Sequence, residues 1–132
     1  MRVKKLKNIF KIRSSLCFKT RKNSFHNLIN SMIEKLKDLS LLDGTSFFED
    51  VIYTTKNRLT ELFGNPETNT DFPKVTCEWN LDFLGFPISV YDWKFAENHG
   101  RWFLDDEGIY WHIGGRSKEE TNAFKRYIDT VL

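Results

Sequence analysis

Two carboxylates and a lysine stand on neighbouring segments of the chain at a spacing that could hold a metal ion. Asp82 lies near the end of one segment, and Asp92 and Lys94 follow within the next. Carboxylate oxygens are ligands that Mg²⁺ prefers, and a nearby lysine can position or polarise an attacking water. Glu61, on a preceding helix, could assist. These residues would suit metal-assisted hydrolysis, and only under this alternative does the sequence predict a cofactor, Mg²⁺.

This layout resembles that of metal-dependent nucleases of the PD-(D/E)xK type, but two parts of that pattern are missing. No proline directly precedes Asp82, and no helix is expected directly after the strand that carries Asp92. Asp-x-Lys triplets are also common on solvated strands, where they form weak cross-strand charge pairs. The sequence therefore favours a protein without enzymatic activity and keeps the nuclease as the alternative.

The stretch YWHIGGRS, residues 110–117, is a second candidate site. A glycine-rich turn before a helix exposes backbone N–H groups, so His112, Gly114, Gly115 and Arg116 could bind a phosphate or carboxylate. The alternative is a corner that turns a strand into a helix, which explains every residue except His112 and Arg116. A corner predicts a positive φ at Gly114 or Gly115, because residues with a β-carbon reverse the chain at a cost.

The other reactive side chains follow no pattern of a metal or nucleophile site. The three histidines lack HxxxH or HxH spacing, and Cys17 and Cys77 form no CxxC pair. Serine-nucleophile and glycine-rich nucleotide motifs are absent as well. The sequence predicts no resident metal and reduced thiols, which indicate an intracellular setting.

The charges divide the chain at residue 22. Residues 1–22 contain nine Lys or Arg and no Asp or Glu, whereas residues 23–132 contain eleven basic and all eighteen acidic side chains. Such a basic arm attracts an acidic protein surface, nucleic acid or an anionic membrane. We expect it to bind a protein or particle partner, with nucleic acid and a membrane surface or targeting signal as alternatives. The predicted contact residues are Lys4, Lys5, Lys7, Lys11, Arg13, Lys19, Arg21 and Lys22.

Residues 23–132 are expected to form a single α+β domain. An apolar stripe from Phe25 to Leu39 predicts an amphipathic helix, and TTKNRLTELFG predicts a second helix that ends at Gly64. FFEDVIYT fits either a strand or a helical turn. Ser117 and Glu120 form a capping box for a last helix. No apolar run is long enough for a transmembrane segment.

The segments between these helices alternate as antiparallel strands do. In KVTCEWNLDF the odd positions are apolar and the even positions polar, and ISVYDWKF follows as a second strand. RWFL and IYWHI flank a DDEG turn. We therefore predict a three- to four-stranded antiparallel meander with helices packed on its apolar face. The side chains predicted for that buried face include Trp79, Tyr91, Trp93 and Phe95.

Four linked motifs, LTELFGNPE, KVTCEW, ISVYDWK and WHIGG, lie within residues 55–115. Together they resemble a family of small uncharacterised proteins of bacteriophages and large DNA viruses. The basic arm and the Phe25–Leu39 segment are not part of that resemblance, and VYDWK departs from its Ile-Tyr-Asp-x-Lys pattern. The resemblance implies a viral origin and no established activity.

The basic arm and the resemblance to viral proteins together predict a non-enzymatic viral interaction protein, either a minor virion component or an accessory factor. Its expected location is the host cytoplasm or the virion. A small nuclease and a non-catalytic nucleic-acid-binding protein are the alternatives.

Overall fold

The computed structural model describes residues 32–69, 71 and 74–132, so the basic arm and its predicted contact residues lie outside the described part. Within it, six strands form one antiparallel sheet accompanied by three α-helices and a 3₁₀ helix at Leu39–Leu42. The strands are β1 (Ile33–Lys35), β2 (Ser46–Thr54), β3 (Glu67–Thr68), β4 (Cys77–Phe83), β5 (Phe86–Asp92) and β6 (Ile109–Gly115). The helices are α1 (Lys56–Phe63), α2 (Phe95–His99) and α3 (Lys118–Asp129).

The sheet confirms the α+β class and an antiparallel meander of β4, β5 and β6, but it has six strands rather than the three or four predicted. The strand order is β1-β4-β5-β6-β2, and β3 pairs with β4 on the β1 side. The predicted RWFL strand is absent from the described residues, and an irregular segment leads into β6 instead. No helix among these residues combines the length and hydrophobicity of a membrane span.

The hydrophobic core lies between one face of the sheet and the helices α1 and α3. Cys77, Trp79, Leu81 and Phe83 alternate inward along β4, as the period-two pattern predicts. Phe63 of α1 meets the Trp79 ring at a centroid distance of 6.2 Å. Phe83 meets an aromatic ring of α3, Phe124, at 5.3 Å. These large aromatic side chains supply much of the buried apolar area.

The prediction for the buried face of β5 is wrong. Trp79 pairs directly with Val90, and paired residues of an antiparallel sheet point to the same face. The buried set on β5 is therefore Ile88, Val90 and Asp92, each 0% exposed. Tyr91 and Trp93 point to the opposite face, where Trp93 is 42% exposed. Phe95 belongs to α2 and is partly buried against the core.

The helix predicted between Phe25 and Leu39 is wrong from Ile33 onwards, and its first part lies outside the described residues. Ile33–Lys35 forms β1 and pairs with β4, and the amide of Leu36 donates to the carbonyl of Asn80 at 2.9 Å. The edge of β4 would otherwise present unpaired backbone groups, so strand pairing prevails over the helical stripe. The ambiguous FFEDVIYT is strand β2.

Residues 36–45, here called the crossing segment, connect the two edges of the sheet from β1 to β2. They pass over the face opposite α1 and α3, because Leu42 and Thr45 line a cavity together with the outward-facing Ser89 and Gly114. Arg116 holds the segment by donating from Nη2 to the carbonyl of Leu41 at 3.0 Å. Among the described helices, α1 and α3 pack on the other face, against the core.

Replacement of two tryptophans on opposite faces tests this arrangement. Trp79 is 3% exposed, so Trp79→Ala is expected to lower the free energy of unfolding by about 3–5 kcal/mol. Trp93→Ala, on the outer face, should cost less than about 1.5 kcal/mol. Urea denaturation of both variants measures the difference. Equal costs, or a larger cost for Trp93→Ala, would contradict the assignment of the faces.

Candidate functional site

The structure does not bring Asp82, Asp92 and Lys94 together. Asp82 lies on the outer face beside the β4–β5 turn, where its carboxylate accepts from the amide of Gly85 at 2.6 Å. Asp92 ends the partner strand on the core face, at the other end of the hairpin. Lys94 begins α2 with a left-handed backbone, φ 57°. The nuclease alternative therefore has no support in the geometry of these residues.

Glu61, the remaining residue of the nuclease alternative, also has a partner of its own. Glu61 pairs with Arg58 at 2.8 Å on the exposed side of α1. Within residues 32–69, 71 and 74–132, no three His, Cys, Asp or Glu side chains are grouped to hold a metal ion.

Asp92 has a structural role that explains why a carboxylate occupies a core position. Its two oxygens accept from the amide of Thr76 at 2.8 Å, from the hydroxyl of Thr76 at 2.7 Å and from the amide of Cys77 at 2.8 Å. Buried charges persist where several hydrogen bonds satisfy them. The carboxylate thus ties the beginning of β4 to the end of β5.

The prediction of a positive φ at Gly114 or Gly115 is wrong, since the positive values at described glycines occur at Gly44, Gly64, Gly85 and Gly100. Both residues continue β6 as ordinary strand and reach the helix through Ser117, whose φ is −152°.

Close packing is what requires the two glycines of β6. A Cβ on Gly114 would lie 2.5 Å from Oγ of Ser89, and a Cβ on Gly115 would lie 2.6 Å from Cγ2 of Thr121. Distances this short are far inside van der Waals contact, so one of the two groups would have to move. The corner therefore requires glycine because β6 packs closely against Ser89 and Thr121, and not because the chain reverses there.

The residues of the candidate anion site have other partners. Ser117 caps α3 by accepting from the amide of Glu120 at 3.2 Å, as the capping box predicts, and the Glu120 carboxylate accepts from the Ser117 hydroxyl at 2.8 Å rather than from its backbone amide. Glu119 and Glu120 both lie in the first turn of α3, so their negative charge opposes a bound anion there. Arg116 holds the crossing segment, and burial lowers the pKa of His112, which favours its neutral form.

Aromatic side chains collect on the outer face, and we call Phe47, Tyr53, Tyr91, Trp93, Tyr110 and His112 the open face. Tyr53 and Tyr110 are paired across β2 and β6 with ring centroids 4.9 Å apart, and they are 61% and 65% exposed. Phe47 stacks on His112 at 4.0 Å, and Trp93 lies 6.1 Å from the same imidazole. Exposed aromatic clusters of this kind are typical of interaction surfaces.

Sequence reasoning missed two polar residues of β4, Glu78 and Asn80. Both face outward and line cavities beside the open face. Burial, followed by the negative charges of Glu67 and Asp92, raises the pKa of Glu78. In the sequence these residues are ordinary polar positions of an alternating strand, so no local signal distinguishes them from solvated side chains.

A double-mutant cycle tests the packing of Gly114. Gly114→Ala is expected to lower the free energy of unfolding by about 1–3 kcal/mol, because its Cβ would collide with the Ser89 hydroxyl. In a Ser89→Ala background that hydroxyl is gone, and the next contact, Cε1 of Tyr91, is at 3.5 Å. The second substitution should therefore cost clearly less there. Identical costs in both backgrounds, measured by urea denaturation, would refute the packing explanation.

Substitution of Asp92 distinguishes a structural carboxylate from a catalytic one. Asp92→Asn replaces an acceptor oxygen by a donor amide facing donors of Thr76 or Cys77, and should cost about 1–3 kcal/mol. Asp82→Asn, at a partly exposed turn, is the matched control and should cost less. Thermal melting measures both, and an unchanged melting temperature for Asp92→Asn would contradict the structural role.

Comparison of the chain with protein-family models, with curated proteins and with solved structures finds no match in any of the three. The similarity to small phage and DNA-virus proteins therefore stays a prediction carried by the four motifs.

Proposed function

We propose that this protein is a non-enzymatic interaction protein that binds a protein partner through the open face, with the basic arm strengthening the attachment. The observation that supports this most directly is the exposure of Tyr53 and Tyr110, 61% and 65%, on the side of the sheet opposite α1 and α3. Tyrosine and tryptophan dominate the energetics of protein interfaces, because they bury a large area and lose little side-chain entropy.

Rigid placement adds to the suitability of the open face. Tyr53, Tyr91 and Tyr110 stand on central or paired strands, and the His112 imidazole is in contact with Phe47. Side chains that are already ordered lose less entropy on binding than side chains of a loop. The surface is therefore organised before a partner arrives.

The basic arm gives the attachment its electrostatic part. It carries nine positive charges, while the remaining chain has eleven basic and eighteen acidic side chains. An acidic partner would be attracted by the arm over the distance of a Debye length, about 8 Å at physiological salt. Under the viral resemblance, this partner would belong to a virion or to the infected cell, and the protein would be a minor virion component or accessory factor.

Nucleic-acid binding without catalysis is the second candidate. Aromatic rings on a sheet can stack bases, and a basic arm can follow phosphates. However, the acidic Glu78 and Asp82 face the same side of the sheet as the aromatic rings, and phosphates would be repelled there. An acidic protein can place its negative groups against the arm alone, whereas a nucleic acid carries phosphates along its whole length, so this distribution of charge favours a protein partner.

The experiment is affinity capture from the native source with the full-length chain, compared with a Tyr53→Ser/Tyr110→Ser variant. The variant should lose the captured protein while its melting curve stays close to wild type, and capture should weaken as salt rises. Trp102→Ser, which removes a 51% exposed aromatic side chain outside the open face, is the control and should capture normally. Unchanged capture by the double variant would contradict the proposal.

Fluorescence anisotropy with a single-stranded 20-nucleotide probe separates the two candidates. The protein-partner proposal expects weak, strongly salt-dependent probe binding that is the same for wild type and the tyrosine variant. Tight probe binding that the tyrosine variant loses would instead establish the nucleic-acid alternative.

A further inference from the structure

A cavity of about 690 Å³ opens beside β4, next to the open face. Its walls include Glu67 of β3, Glu78 and Asn80 of β4, Trp93 after β5 and Leu39 of the crossing segment, with the exposed Lys74 also at the lining. A site of this size admits an amino-acid side chain with part of its backbone. Its polar groups determine which side chain fits.

The carboxylate of Glu78 forms no ion pair within the described residues. It is partly buried, and no hydrogen bond or ion pair within the described residues reaches it, whereas its cross-strand neighbour Glu67 is paired with Lys35 at 3.3 Å. Like charges directly opposite each other on a sheet are destabilising. Burial, followed by the negative charges of Glu67 and Asp92, raises the pKa of Glu78, and no positive group of the described residues lowers it.

Asn80 is the second group without a partner. It lies two residues along β4 on the same face as Glu78, a separation of roughly 7 Å. Its side-chain Oδ1 is buried and has no hydrogen bond within the described chain. That oxygen is enclosed, so a ligand donor reaches it only when the Asn80 side chain or its neighbours shift.

Aromatic rings complete the site. Tyr91 lies directly opposite Glu78 on β5, and Trp93 lines the cavity in contact with Tyr91 at a centroid distance of 6.3 Å. The Trp93 ring already attracts one cation, because the ammonium of Lys94 lies 5.5 Å from its centroid. The cavity thus combines a carboxylate, an amide and the planar ring of Trp93.

We propose that this cavity binds the guanidinium group of an arginine residue in a peptide. A guanidinium supplies a positive charge for Glu78, N–H donors for both Glu78 and Asn80, and a flat surface that stacks on Trp93. Anionic ligands would be repelled by Glu67 and Glu78. The inference goes beyond the proposed function, because it concerns a cavity and a ligand that the binding of a partner by the open face does not require.

Isothermal titration calorimetry on the full-length chain tests this site with a capped Gly-Gly-Arg-Gly-Gly peptide and with N-acetyl-argininamide. The matched peptide with citrulline, which is neutral and has nearly the same shape, should bind at least about tenfold more weakly. Tighter binding of the arginine peptide than of the amide assigns the site to peptides, and equal binding assigns it to the guanidinium group alone. Absence of saturable binding, or equal binding of citrulline, overturns the proposal.

The variant Glu78→Gln provides a readout that a structural residue would not give. It should weaken arginine binding at least about tenfold, and it should raise the melting temperature at pH 7. The folded state raises the pKa of Glu78, so its charged form is destabilising above that pKa and the gain should vanish below the ordinary value of 4.5. The charged groups around it are Glu67 of β3, Asp92 of β5, Lys74 at the lining, Lys35 of β1, which is paired with Glu67, and Lys94, which lies over the Trp93 ring.

Glu97→Gln changes the net charge equally at an exposed position of α2 and should leave both measurements unchanged. Undiminished arginine binding by Glu78→Gln would show that the carboxylate is not the binding group and would overturn the site.

Discussion

The buried carboxylate of Asp92 determines which side of the central hairpin becomes the core. It binds the backbone of Thr76 and Cys77 and so joins the first residues of β4 to the last residue of β5. A shift of one residue in this pairing would send every side chain of β5 to the opposite face. With the observed register, Ile88 and Val90 are buried, and the aromatic Tyr91 and Trp93 reach the outside.

This interaction also explains where prediction from the sequence succeeded and where it failed. β4 has one apolar set of side chains, so its alternation identified Trp79 and its neighbours as core. Both sets on β5 are largely apolar, and the presence of Asp92 among Ile88 and Val90 made that set look solvated. Only the three donors that reach Asp92 reverse the interpretation, and they come from residues fifteen or sixteen positions earlier. Long-range hydrogen bonds of this kind leave no periodic signal.

Two further elements show the same limit. The apolar spacing from Phe25 to Leu39 suits a helix, but the backbone of β4 offers an edge to which Ile33–Lys35 pairs, and a local pattern does not contain that edge. The two glycines at 114 and 115 were correctly identified as special positions. Glycine is needed there because the side chains of Ser89 and Thr121, on other elements, approach closely. Sequence reasoning therefore recognised the importance of the corner and assigned the wrong reason for it. Glu78 and Asn80 were not recognised at all, because solvated strand positions have the same residue types.

The open face and the cavity beside it both carry groups that do not serve the stability of the isolated chain. Tyr53 and Tyr110 expose most of their aromatic surface, and Glu78 holds a charge that its surroundings disfavour. On the opposite face, α1 and α3 cover an aromatic core. Proteins retain destabilising groups chiefly where binding requires them. Because β4 and β5 contribute to both faces, the bond between Asp92 and the start of β4 positions the core and, on the other side of the same strands, the candidate binding surface.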